Sequence, residues 1–70
     1  MRVFAAEIEP GDVILSGATF PTPGNLTDVR LRRDVRVRRV DRNGDGPRDV
    51  AIRVDGLTLL AHPGRVIRVA

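Results

Sequence analysis

The feature that most constrains this chain is its punctuation. Five turn-forming dipeptides, Pro10-Gly11, Pro23-Gly24, Asn43-Gly44, Asp55-Gly56 and Pro63-Gly64, are spread through seventy residues. Glycine reaches the backbone angles that tight turns need and proline presets a turn's first corner, so each pair interrupts regular structure. Helical periodicity is missing almost everywhere between them, and what remains is short runs of Val, Ile and Leu. That is the pattern of a meandering small β-barrel or sandwich. The sequence therefore predicts an all-β fold: a small SH3-like barrel of five to seven short antiparallel strands, without significant helix. Residues 1–70 leave room for one domain only.

A chain of this length buries only roughly 60% of its unfolded surface. With 41% apolar and 30% charged residues it falls among globular proteins, and with no cysteine it can have neither disulfides nor thiolate metal sites. Its stability must come from a lean aliphatic core or from a partner subunit. The opening residues Met1 to Glu7 carry no signal-peptide pattern, and no segment approaches the ~20 apolar residues of a membrane span. The expectation is a cytosolic protein without a membrane partner.

An imperfect repeat fixes the centre of the fold. Residues 33–41 (Arg-Asp-Val-Arg-Val-Arg-Arg-Val-Asp) echo residues 48–55 (Arg-Asp-Val-Ala-Ile-Arg-Val-Asp), with one extra residue in the first copy. A hairpin closed by Asn43-Gly44-Asp45-Gly46 accounts for the pair. Its predicted register sets Val37 against Ile52 and Val35 against Val54, and a bulge at Arg38-Arg39 then brings Val40 opposite Val50. Asp55-Gly56 is a two-residue hairpin turn into a strand from Leu57 to Leu60. The last strand runs from Arg65 to Val69. Upstream strands are expected over Val3 to Ile8, Val13 to Leu15 and from Leu26 to Leu31, with a proline-rich loop from Phe20 to Asn25. Arg33 would lie on the buried face of a continuous strand from Val29 to Val37, so a bend is expected near Arg32 to Asp34.

The run Ala6-Glu7-Ile8-Glu9-Pro10-Gly11-Asp12-Val13-Ile14, followed by His62-Pro63-Gly64-Arg65-Val66-Ile67, resembles short proteins of actinobacteria and their phages. It also resembles the opening of SH3-like barrels, where Pro-Gly-Asp precedes a buried strand. The resemblance covers the two ends of the chain and implies a fold, with no activity attached.

Chemistry, if any, rests on arginine. All twelve basic residues are Arg, usage that also suits a GC-rich genome. Each is a planar fork matched to carboxylate or phosphate, and none titrates near neutral pH. Alternation predicts an outward row of Arg30, Arg32, Arg36 and Arg38 with Asp34, joined by Arg53 and Asp55 on the partner strand. In the predicted register Arg36 opposes Arg53, an unfavourable pairing that a phosphate would relieve. This is the candidate nucleic-acid-binding set. The alternative is an ordinary solvated face, with Asp34 and Asp55 as its counter-ions and a net charge of only +3.

Residues 41–49 match the first half of a calcium loop, with oxygen ligands at Asp41, Asn43, Asp45 and Asp49 and glycine at its sixth position. Ile52 replaces the expected bidentate Glu, and Arg42 and Arg48 crowd the site, so a hairpin connection competes with this reading. His62, the only histidine, reads as a turn residue. Glu7 and Glu9 fall on one wet strand face, and no motif activates Ser16 or any threonine. The sequence thus predicts a binding module that is not an enzyme, without cofactor or small-molecule substrate. Its partner is a nucleic acid, or alternatively a protein or further copies of itself joined through the strand edges Val3 to Ile8 or Val66 to Val69.

Overall fold

The computed structural model describes residues 1–24 and 27–70. Nine short strands form among them, with one 3₁₀ turn and no α-helix. They are β1 (Arg2–Phe4), β2 (Val13–Ile14), β3 (Thr19–Phe20), β4 (Val29–Arg30), β5 (Val35–Arg36), β6 (Arg39–Arg42), β7 (Val50–Val54), β8 (Leu57–Ala61) and β9 (Val66–Arg68). The all-β expectation holds. The strand count exceeds the expected five to seven because the long segments are broken by bends. Pairing falls into four antiparallel sheets, β1–β9, β2–β5, β3–β4 and β6–β7–β8, and not into one closed ring.

The first strand is shorter than its sequence suggests. After Phe4 the chain enters a 3₁₀ turn over Ala5–Glu7, so Glu7 and Glu9 do not share a strand face. Two alanines lack the branched side chains that hold a pleated strand. The turn also drives Ile8 into the core, where it is fully buried. Glu9 to Asp12 then closes a second turn, with Asp12 N–H donating to the Glu9 carbonyl and Glu9 N–H to the Asp12 carboxylate.

The central hairpin forms, but in a different register. Val40 faces Ile52 and Arg42 faces Val50, a two-residue slip from the predicted partners. Such a slip leaves every side chain on its original face, so Val40, Val50, Ile52 and Val54 still pack inward. The loop over residues 43–49 decides it. Asn43 N–H donates to the Asp49 carbonyl at 2.8 Å, and the Asp49 carboxylate accepts Gly46 N–H at 2.7 Å, so the strands pair right up to Arg42.

Val35 and Val37 do not join this hairpin. Val35 pairs with Ile14, Arg36 pairs with Val13, and Val37 exchanges backbone hydrogen bonds with Gly11 and Asp12. The chain changes partners at Arg38, whose N–H donates to the Arg53 carbonyl while Arg39 is the cross-strand partner of Arg53. The extra residue of the repeat sits where expected, but it serves a change of sheet. The Asp55-Gly56 turn joins β7 to β8 with Val54 facing Leu57, as its sequence predicts. Of the expected Phe20 to Asn25 loop and Leu26 to Leu31 strand, Asn25 and Leu26 lie outside the described residues, and strand pairing there covers Val29 and Arg30.

Among the described residues, thirteen buried aliphatic and aromatic residues form one core, with Phe20, Ile8, Ile14, Ile52, Leu59 and Ile67 its largest members. β9 stitches the ends of the chain together. It pairs with β1 along its length, and its continuation Val69 bridges to Ile14. Among the described residues no helix is long and apolar enough to cross a membrane.

Candidate anion-binding surface

The bend between β4 and β5 decides where the cations go. Leu31 before it is buried and Val35 after it packs against the core, while Arg32, Arg33 and Asp34 are all exposed. Two adjoining clefts flank this corner. One, of about 310 Å³, brings Arg30, Arg32 and Arg33 beside Val54 and Leu57. The other, of about 420 Å³, gathers Arg33, Arg36 and Arg38 with Asp34 over Val13. Arg33, Val35 and Asp55 line both.

Four of the five arginines singled out from sequence, Arg30, Arg32, Arg36 and Arg38, thus meet around one corner. Arg53 does not. It lies on the outer face of the three-stranded sheet, with Arg39 opposite on β6 and Thr58 opposite on β8. The expected opposition of Arg36 and Arg53 is absent, because Arg36 belongs to the ladder with β2. Arg39 takes its place across from Arg53, and its Nε is held 3.2 Å from the Asp41 carboxylate. Arg33, which lines both clefts, and Arg39, opposite Arg53, join these surfaces although strand alternation does not single them out. A signal for Arg33 exists in the sequence: the same bend that interrupts the strand releases Arg33 from its inward face.

The carboxylates of the corner are both engaged. Arg38 Nε donates to Asp55 Oδ1 at 2.9 Å. That hydrogen bond and the Arg38 charge hold the exposed Asp55 carboxyl below its ordinary range, with weaker contributions from Arg33 and Arg36. Asp34 Oδ1 accepts the Ser16 backbone N–H at 2.8 Å. Among the described residues, no ion pair or hydrogen bond holds the guanidinium groups of Arg30, Arg32, Arg33 or Arg36. Four solvated forks around one corner, with a single carboxylate partner given to Arg38, are suited to take the oxygens of an anion.

Other arginines have structural work. Arg42 donates to the Ala6 and Ile8 carbonyls at 2.9 and 2.6 Å, tying the 3₁₀ turn to β6. Arg65 donates to the Thr19 carbonyl and lies 3.9 Å over the Phe20 ring, where burial pushes its guanidinium below its ordinary value.

The calcium-loop residues have local tasks too. Asp41 faces Arg39, Asp49 closes the loop onto Gly46, and Asn43 and Asp45 are exposed. Among the described residues no group of three or more His, Asp or Glu side chains is gathered to hold a metal ion. His62 Nδ1 accepts Gly64 N–H at 2.8 Å, a turn contact.

Fold and surface together define a small all-β protein with an arginine-lined corner. Compared with known proteins, the chain matches no family model, no curated protein and no solved structure.

Proposed function

We propose that this chain is a binding module, and not an enzyme, which takes the phosphate backbone of a nucleic acid across its two arginine-lined clefts. The observation that carries the reading is the set of Arg30, Arg32, Arg33 and Arg36, exposed around one corner and, among the described residues, in no salt bridge. A polymer suits them better than a small anion, since the four cations are spread over two adjoining clefts and do not line a single one. Backbone contact suits them better than base reading. Of the two aromatic rings, Phe20 is buried in the core and Phe4 is on β1, lining neither cleft, so no stacking platform accompanies the arginines.

We further propose an SH3-like arrangement of the strands as the scaffold. Supporting it, β2 pairs with β5 and is bridged to β9, and the bent segment through β5 and β6 passes from that side into the sheet with β7 and β8. The β3–β4 pair falls between β2 and β5 in the chain, and it is tied to β8 by Leu60 N–H donating to the carbonyl of Pro21, just after β3.

Fluorescence anisotropy with labelled duplex DNA, single-stranded DNA and RNA at low and moderate salt tests the function. The expected result is binding that weakens steeply with salt and is lost largely in the Arg33→Ala/Arg36→Ala double variant. No binding at low salt, or equal binding by the double variant, overturns it.

A further inference from the structure

A second surface lies on β1 and β9. In their ladder Val3 and Ile67 face the core, so Phe4 with Val66 and Arg2 with Arg68 face outward. Phe4 and Val66 are cross-strand neighbours, and each is half exposed, at 51% and 52%. With Met1 they are the large apolar side chains left exposed among the described residues, and all three belong to the β1–β9 region. Isolated apolar residues at a surface need no explanation, but here they adjoin. Phe4 and Val66 also share a groove of about 280 Å³ with two opposite charges, Arg2 at one end of β1 and Glu7 just beyond the other. Neither charge has an ion-pair partner among the described residues.

We infer that this face binds a second copy of the chain about a two-fold axis. Along the patch the Arg2–Arg68 pair lies at one end, the apolar Phe4–Val66 pair follows, and the Glu7 carboxylate lies beyond it. A two-fold axis through the apolar pair reverses that order in the facing copy, so each Arg2 meets the partner's Glu7 while the Phe4–Val66 pairs stack on each other. The two ends of the patch are therefore complementary in sign, with Arg68 beside Arg2 as a second cation for the same carboxylate. Area supports the inclusion of the charged ends. A standard interface takes roughly 800 Å² from each partner, about a sixth of the 4577 Å² surface. Phe4 and Val66 cannot supply that alone, so Met1, Arg2, Glu7 and Arg68 belong to the contact. The arginine clefts share no residue with it, so copies joined here keep their clefts.

Sedimentation velocity over a wide concentration range tests this, with far-UV circular dichroism to establish that each variant folds. The full chain is expected to show a concentration-dependent monomer–dimer equilibrium. Phe4→Ser should raise the dimer dissociation constant at least about tenfold. Charge exchange gives an independent measurement. Arg2→Glu and Glu7→Arg should each dimerise poorly alone, since each places like charges at both contacts. Mixed together they should associate. At one contact the introduced carboxylate of the first variant then meets the introduced guanidinium of the second, and at the other contact the native Glu7 meets the native Arg2. A chain monomeric at every concentration overturns the inference, and so does a dimer indifferent to Phe4→Ser or a mixture no more associated than its components.

Discussion

The salt dependence of nucleic-acid binding can be worked from the arrangement of charges. Each phosphate neutralised on a duplex releases counterions and adds about 0.9 to the slope of log affinity against log salt. Arg30, Arg32, Arg33 and Arg36 are the cleft cations in no salt bridge among the described residues, while Arg38 is already committed to Asp55. One phosphate each gives a slope near about −3.6, so a fourfold rise in salt should weaken binding by ~150-fold. In the Arg33→Ala/Arg36→Ala variant the slope should fall to about −1.8, and the same rise in salt should cost only ~12-fold. Arg53→Ala, on the outer face of the sheet beside Arg39, should leave the slope within the error of the wild type. The assay is anisotropy with a labelled duplex at several salt concentrations, holding pH and temperature fixed. A slope unchanged by the double variant, or reduced as much by Arg53→Ala, would refute the assignment to the clefts and move the contact to the outer face.

Three further perturbations probe the fold that presents the clefts. Ile52, fully buried between Val40 and Leu59, anchors the central strand. Ile52→Ala should cost about 2–5 kcal/mol by far-UV circular dichroism in urea, a large part of the roughly 4–10 kcal/mol available to a chain this size; a loss under about 1 kcal/mol would mean the site collapses without a cavity. Gly56 sits at φ +68° with open space around its α-carbon, so Gly56→Ala should cost about 1 kcal/mol through backbone strain alone, lowering the melting temperature by roughly 4–8 °C, and an unchanged melting temperature would remove that cause. Asp55 is held below its ordinary value of 3.8 by Arg38, so its contribution to stability is complete above that pH and is lost as pH falls through the lower value of the folded state. Asp55→Asn should therefore be less stable than wild type near neutrality and equal to it in strong acid, and a gap that persists in acid would contradict the sign.

The turns are legible in the sequence because their chemistry is local. Asp55-Gly56 needs only its own two residues to set Val54 against Leu57, and Pro63-Gly64 needs only His62 to hold the corner before β9. The register of β6 on β7 is not legible in the same way. Alternation has a period of two, so it cannot distinguish Val40 opposite Val50 from Val40 opposite Ile52. What distinguishes them is the Asp49 carboxylate closing onto Gly46, a contact that exists only once the loop has formed. The same limit hides the change of partner at Val37, since its side chain points inward whichever strand receives its N–H. For the candidate surface, the pattern identifies Arg30, Arg32, Arg36 and Arg38 through their spacing. It misses Arg33 because a bend removes a residue from alternation altogether, and it joins Arg53 to the wrong neighbours because that grouping depends on the register.

The position of β9 also sets the order in which this molecule can assemble. Arg2 pairs with Arg68, Val3 with Ile67, and the Met1 amino group donates to the Val69 carbonyl across 68 positions of sequence. The Val13 and Leu15 segment depends on the same late residues, through Ala70 N–H and the Arg68 carbonyl. The β7–β8 hairpin, by contrast, closes over two residues and can form in microseconds. An early β6–β7–β8 sheet must then wait for a search that brings the first and last strands together, and the entropy of that closure is lost before any of its hydrogen bonds form. Refolding should accordingly be slow for a chain of this length, in the millisecond-to-second range of proteins dominated by distant pairings. Substitutions in β9 should accelerate unfolding more than they retard folding, because the strand that joins the two ends is the last to arrive.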